Sequence, residues 1–220
     1  MYVPAHFSMT TDDAAALARS VGTGHLVSLG DGVLDSSFVP FLLEDVDGGG
    51  WRVRLHLARA NGQARQLADG DEVLLIVQGP DAYVSPGFYP SKREHGRVVP
   101  TWNYVVVHIR GRVRTSRDHD ALLDVVRDLT DVHERDRAEP WAVSDAPDEF
   151  VDEQLRAIVG VEIEVTELTG KTKLSQNRLP DDRAAVRDAY AAGTPRERAV
   201  ADLIDRKSTR LNSSHVALSR

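Results

Sequence analysis

From Trp102 to Thr115 the chain reads WNYVVVHIRGRVRT, in which Val105, Val107, Ile109 and Val113 alternate with His108, Arg110, Arg112 and Arg114. A period of two sends successive side chains to opposite faces of an extended backbone, a pattern no helix accommodates. The stretch is therefore a long strand with one apolar face, and Gly111 marks a bulge or bend within it. Trp51 to Leu57 alternates in the same way, with Trp51, Val53, Leu55 and Leu57 on one face and Arg52, Arg54 and His56 on the other. Val73 to Val77 (VLLIV) is apolar throughout, as expected of a strand covered on both sides. His25 to Leu29, Ser36 to Glu44 and Ile158 to Leu168 complete the strand set. Asp31-Gly32 supplies a hairpin signal, and Pro40 belongs at an edge or bulge.

Helical signals surround these strands. Thr10 to Asp13 caps and charges the start of a helix that Gly22 and Gly24 end. From Asp118 to Arg135, residues Ala121, Leu122, Val125, Val126, Leu129 and Val132 follow helical spacing, with Ser116 as the candidate cap. A short helix through Phe150 and Leu155 precedes the last strand, and two more are expected from Asp181 and Thr194. Ala58 to Leu67 reads as a short helix or a turn, and Pro80, Pro86 and Pro90 punctuate an irregular aromatic-rich loop. Strands and helices do not alternate regularly, so a doubly wound parallel sheet does not fit. The expected class is mainly β with helices, a barrel carrying peripheral α-helices in a single domain over residues 1–204.

Residues 205–220 are set apart as a non-native tail. Asp205 to His215 reads DRKSTRLNSSH, the string a common sequencing adapter encodes in one frame, and no apolar period runs through it. The chain has no cysteine, which excludes disulfides, thiolate catalysis and Cys-ligated metal centres. No apolar run reaches the roughly 20 residues that a membrane helix needs, and MYVPAHFSMTTDD has neither the basic nor the apolar region of a signal peptide. A cytoplasmic location and no membrane partner are expected. A net charge of −7 argues against sequence-independent coating of DNA phosphates, although the uneven charge leaves room for a local basic face.

Four clusters carry candidate chemistry. His56, Arg59, Asn61, Gln63 and Arg65 end one strand and enter the turn after it, where backbone N–H groups and side-chain donors can cradle a phosphate. A solvated polar turn carries the same residue types. Ser91 to Tyr104 (SKREHGRVVPTWNY) sets Lys92, Arg93, His95 and Arg97 beside Thr101, Trp102, Asn103 and Tyr104. Anion contacts next to flat aromatic walls suit a ligand with a phosphate and a planar ring; a surface loop leading into core aromatics is the alternative. The row His108, Arg110, Arg112, Arg114 reads first as a solvated face paired with nearby acids. Lys171 to Asn177 (KTKLSQN) places Lys173, Ser175, Gln176 and Asn177 in a polar loop or a cofactor lid. Gly22-Thr-Gly24 lacks the third glycine of a dinucleotide fingerprint, and no stretch reads as a helix-turn-helix pair.

Several of these segments together resemble the PaiB-like, FMN-binding negative transcriptional regulators. They are MYVPAHF, HLARAN, QGPDAYVSPGFYPSKREHGRVVPTWNYVVVHIRG, EPWAVSDAP and AIVGVEIEVTELTGKTKLSQNR, in the family's order, and the resemblance covers almost the whole chain up to about Ile204. The resemblance implies a split β-barrel of the pyridoxamine-phosphate-oxidase type, a homodimer, and FMN at the subunit interface. It also places Arg59, Asn61 and Gln63 in the segment that binds the FMN phosphate, with His56 and Arg65 of the same cluster counted as cofactor contacts beside them. Lys92, Thr101, Trp102, Asn103, Lys173, Ser175, Gln176 and Asn177 would line the flavin or its neighbouring pocket. Gln63 falls where many relatives carry lysine, and Gly62 and Ala64 replace the usual Pro and Trp. Three functions follow: a regulator that answers to FMN, with DNA as a partner, a flavin-dependent oxidoreductase acting on a small substrate, or a module that stores or presents flavin.

Overall fold

The computed structural model describes residues 1–205, so the tail expected at residues 205–220 lies, beyond Asp205, outside the described residues. The first helix, α1 (Thr11–Val21), ends where Gly22 turns to a φ of 65°. It is followed by β1 (Thr23–Gly30) and β2 (Val33–Pro40), paired antiparallel in the register His25 with Phe38 and Leu29 with Leu34. Asp31 and Gly32 both have positive φ at the hairpin tip, the backbone that a two-residue turn of this kind requires. The single strand expected over Ser36 to Glu44 is in fact two. Pro40 cannot donate to a ladder and ends β2, and β3 (Leu42–Asp45) pairs instead with β4 (Trp51–Ala58). Gly48, Gly49 and Gly50, with φ of 92°, 98° and 100°, link those two strands through open space.

After the short α2 (Gly62–Gln66) comes β5 (Glu72–Val84), longer than the VLLIV core and running straight through Pro80. Next come α3 (Ser91–His95) and β6 (Thr101–Ser116). The acidic stretch forms α4 (His119–Glu134), whose N-cap is Asp118 rather than Ser116: the Asp118 carboxylate accepts from Ala121 N at 3.0 Å. Then α5 (Asp148–Arg156), β7 (Ile158–Lys173) and α6 (Pro180–Ala191) follow, and residues 195–205 are helical. No helix among the described residues is long and apolar enough to cross a membrane.

The chain forms two compact units, and their boundaries fall inside β5, β6 and β7. The first unit, Thr11–Val77 with Val107–Thr169, holds the sheet in the order β2-β1-β5-β6-β7-β4-β3. This is the split β-barrel fold expected, mainly antiparallel with peripheral helices. Its buried side carries Leu26, Val53, Leu55, Leu75, Val107, Ile109, Val161 and Ile163, each at or near zero exposure. Gly111 makes no bulge. An added Cβ there would stand 2.2 Å from the carbonyl oxygen of Glu164, so glycine is what lets β6 and β7 approach. On the opposite side of the hairpin Leu29, Leu34 and Phe38 are exposed, Phe38 by 64%, and they continue into half-exposed Val27, Leu74 and Ile76.

The second unit comprises Met1–Thr10, Gln78–Val106 and the described residues from Gly170. Its interior is built on Val84, Tyr89, Val105, Leu174, Val186, Tyr190 and Ile204. The hydroxyl of Tyr190 donates to the carbonyls of Ala82 and Tyr83 at 3.3 and 3.1 Å, which ties α6 to the end of β5.

Candidate functional site

In the first unit, β4 delivers His56 and then the turn Arg59 to Asn61. The backbone of Arg59 is anchored to Ala157 O at 2.8 Å. Its guanidinium, exposed, forms no hydrogen bond or salt bridge among the described residues. Asn61 is spent on the fold: its carbonyl oxygen caps α2 at Gln63 N and its amide donates to Ser37 Oγ, both at 2.9 Å. Gln63 is fully buried, and its Nε2 donates to Leu26 O and Ser28 Oγ at 2.9 Å each. In this copy of the chain Gln63 therefore fastens α2 to β1 and presents no donor at the surface. Arg65 folds back onto Ala60 O at 2.8 Å. His56 Nδ1 is buried without a partner, and burial pushes that imidazole below its ordinary value. Of the five residues in this cluster, Arg59 alone offers an uncommitted cation.

Nearby in the same unit, β3 and β4 carry a charge network. Arg54 is held by Glu44 and by Asp128 of α4, and Arg52 reaches Glu44 at 3.0 Å and Glu162 at 3.5 Å. Burial would raise the Glu44 carboxyl, but the hydrogen bonds from Arg54 and Arg52 outweigh it and hold the group below its ordinary value. The arginine row on β6 is largely answered by acids, as its alternation with apolar residues suggests: Arg110 lies 3.7 Å from Glu167 and Arg112 lies 3.4 Å from Glu72.

In the second unit, Lys173, Thr101, Trp102, Asn103 and Ser175 do come together. The expectation that Lys171 to Asn177 forms a loop is corrected in its first part, because β7 continues to Lys173. That extension brings the Lys173 ammonium to Thr101 Oγ1 at 2.5 Å and to Trp102 O at 2.9 Å. Burial lowers the affinity of Lys173 for its proton. Ser175, with a φ of 61°, turns the chain out of the strand and donates to Asn103 Oδ1 at 3.1 Å. Asn103 is fully buried and its Nδ2 has no hydrogen-bond partner. Gln176 closes the turn on itself, accepting from Leu174 N and donating to Thr172 O at 2.6 Å each. Asn177 and Lys92 are exposed, and no side-chain contact joins Lys92 to this group.

Trp102 is 47% exposed, with Tyr83 edge-on at 5.9 Å and the Arg196 guanidinium 5.8 Å from its ring centre. Arg196 also donates to Asp81 O at 3.1 Å. Neither Tyr83 nor Arg196 was legible as a site residue, because Arg196 comes from a helix far along the chain and no local motif links it to Trp102. Lys171, 5.2 Å from the centre of the Tyr104 ring, was likewise visible only as part of a polar run.

These donor sets fit FMN. Each unit holds chemistry that FMN could use: in the first, the uncommitted Arg59 guanidinium is the kind of cation a phosphate needs, and in the second, the half-exposed Trp102 ring is the kind of flat wall a flavin needs. The fold and these donors define a flavoprotein of the split-barrel class. The family described as "Putative FMN-binding domain" matches residues 1–167, and the chain belongs to it, with FMN as its cofactor. The chain is 29% identical to the Bacillus subtilis "Protease synthase and sporulation protein PAI 2" over 183 residues, 83% of this chain and 85% of that protein. It is 30% identical to an uncharacterized protein of Emericella nidulans over 204 residues, covering 78% and 81% of the two chains. Among solved structures it is similar in fold to the FAD and heme binding protein from Mycobacterium smegmatis (TM-score 0.56, 17% identity, 84% of this chain and 79% of that one). A second is the flavocytochrome Anf3 from Azotobacter vinelandii (TM-score 0.54, 16% identity, 78% and 72%).

Proposed function

We propose that the protein is an FMN-binding homodimer that acts as a negative transcriptional regulator in the cytoplasm. The observation that carries the cofactor assignment to particular residues is the uncommitted guanidinium of Arg59 at the end of β4, which would hold the FMN phosphate. Trp102 and Lys173 would face the ring, and in a dimer the two sets need not belong to the same copy. Gln63, Asn61 and Arg65 keep the turn in shape for Arg59 rather than touching the phosphate themselves. The dimer is supported by the exposed apolar surface on β1 and β2, where Leu29, Leu34 and Phe38 lie together on an edge hairpin. The regulator reading is supported by the Bacillus relative, named for proteases and sporulation.

The deciding experiment joins a flavin titration to a mobility-shift assay on DNA upstream of the protein's own gene. A regulator gives a shift that depends on FMN and weakens as salt rises. A protein that binds FMN, shifts no DNA at low salt and consumes NAD(P)H faster than free FMN does is an oxidoreductase instead. One observation favours that second reading: the Lys173 ammonium, fixed by Thr101 and the Trp102 carbonyl, places a positive charge beside the proposed ring wall. When bound, FMN supplies hydride or single-electron transfer, and the chain's own residues orient it and tune its charge.

A further inference from the structure

Within the second unit, α3 and the segment from Gln176 to Asp182 line an open cavity of about 430 Å3. That volume lies in the range of small-molecule sites. Its polar groups are unequally committed. Asp182, 3% exposed, is the one acidic residue lining it, and it is already used: Oδ1 accepts from Ser91 N at 3.1 Å and Oδ2 from Ser91 Oγ at 2.7 Å. That carboxylate fixes the start of α3 and is not offered to a ligand.

The cations are not so used. Arg97 and Arg178 form no salt bridge among the described residues, and Arg178 lies 4.8 Å from the centre of the Tyr89 ring. Stacking on an aromatic face orients a guanidinium and leaves its in-plane N–H groups available. His95 accepts from Arg97 N at its Nδ1, at 3.0 Å, so the neutral ring carries its proton on Nε2 as a donor. The remaining walls include Val98, Leu179 and Pro180. One guanidinium without a partner among the described residues, a second shared only with Tyr89, an imidazole donor and an apolar wall call for an anion with an apolar body. Inorganic phosphate would satisfy the cations and leave that wall wet.

We propose that this cavity binds a small organic carboxylate, its charged end held by Arg97 and Arg178 and its apolar part packed on Val98, Leu179 and Pro180. The site goes beyond the FMN assignment, although Gln176 and Asn177, which line it, are also candidate flavin contacts.

Benzoate serves as the probe, titrated calorimetrically into the full chain saturated with FMN, with inorganic phosphate as the comparison anion. The expected result is saturable benzoate binding, weakened at least about tenfold in Arg97→Gln and in Arg178→Gln, with flavin absorbance unchanged and phosphate binding weaker. Arg97 is exposed and makes no side-chain contact among the described residues, so Arg97→Gln folds even where loss of the Tyr89 stack harms Arg178→Gln. Absence of saturable binding, or binding unchanged in Arg97→Gln, overturns the proposal. So does displacement of FMN by benzoate, which would make the cavity part of the cofactor site, or phosphate binding as tightly as benzoate. Where no FMN is taken up at all, the same titration on the flavin-free protein still tests the cavity, so failure of the two assignments is told apart.

Discussion

Arg59 extends an unspent guanidinium from the end of β4, while four positions on Gln63 turns inward and gives its amide to Leu26 and Ser28. The two substitutions therefore separate. Arg59→Ala should weaken FMN binding by about 10- to 100-fold, since a hydrogen bond to a charged group contributes roughly 1.5–3 kcal/mol. A flavin fluorescence titration measures this, and the urea midpoint should not move. Gln63→Ala should do the reverse. It leaves the Leu26 carbonyl and Ser28 hydroxyl short of a donor and lowers stability by roughly 1–3 kcal/mol in urea unfolding. Residue type alone ranked these side chains together, because a polar residue in a turn looks alike whether it faces water or the core. His56 and His108 add a pH dependence. Burial depresses both imidazoles below the ordinary value of 6.5, so the unfolded chain takes up protons that the folded chain refuses. Their contribution is complete above about pH 6.5 and is lost as pH falls from there through the depressed folded values. Thermal unfolding at pH 5 and pH 8 should show a lower midpoint at pH 5, and His56→Asn should shrink that difference.

The elements were legible to the extent that their signal was local. The alternation in WRVRLHL and in VVVHIRGRV placed β4 and β6 correctly, since one buried face is enough to fix a strand's register. β7 was cut short at Leu168 because Gly170 to Leu174 looks polar. Yet Thr172 and Leu174 are buried while Lys171 and Lys173 are only partly so, the same period of two with β-branched Thr standing in for an aliphatic residue. Gly111 was read as a bend, and its true role depends on Glu164 of β7, which no local window contains. Gly111→Ala should push β6 and β7 apart and destabilise by about 3 kcal/mol, which in a chain of this size lowers Tm by roughly 6–12 °C in a thermal melt.

At the scale of the molecule, the apolar surface of β1 and β2 predicts the assembly. Phe38→Asp places a charge on that face and should convert the proposed dimer to a monomer in light scattering after gel filtration. If the flavin is shared between copies, FMN occupancy falls with it, whereas a monomer that keeps its FMN would remove the interface from the cofactor site. The expectation of a single barrel domain contained no sign of this face. Exposed leucine and phenylalanine look the same in a sequence as buried ones, and only the hairpin register aligns Leu34 with Leu29 and Phe38 with His25.

The three glycines between β3 and β4 have a practical consequence. All of them adopt backbone angles that side chains resist, yet nothing stands within 4 Å of where a side chain would begin. Foreign sequence spliced between Gly48 and Gly49 would thus meet no neighbour, while the paired strands on either side keep their ladder. An engineered epitope or fluorophore at this spot gives a handle for watching assembly and flavin uptake in one preparation, at the opposite end of β4 from Arg59.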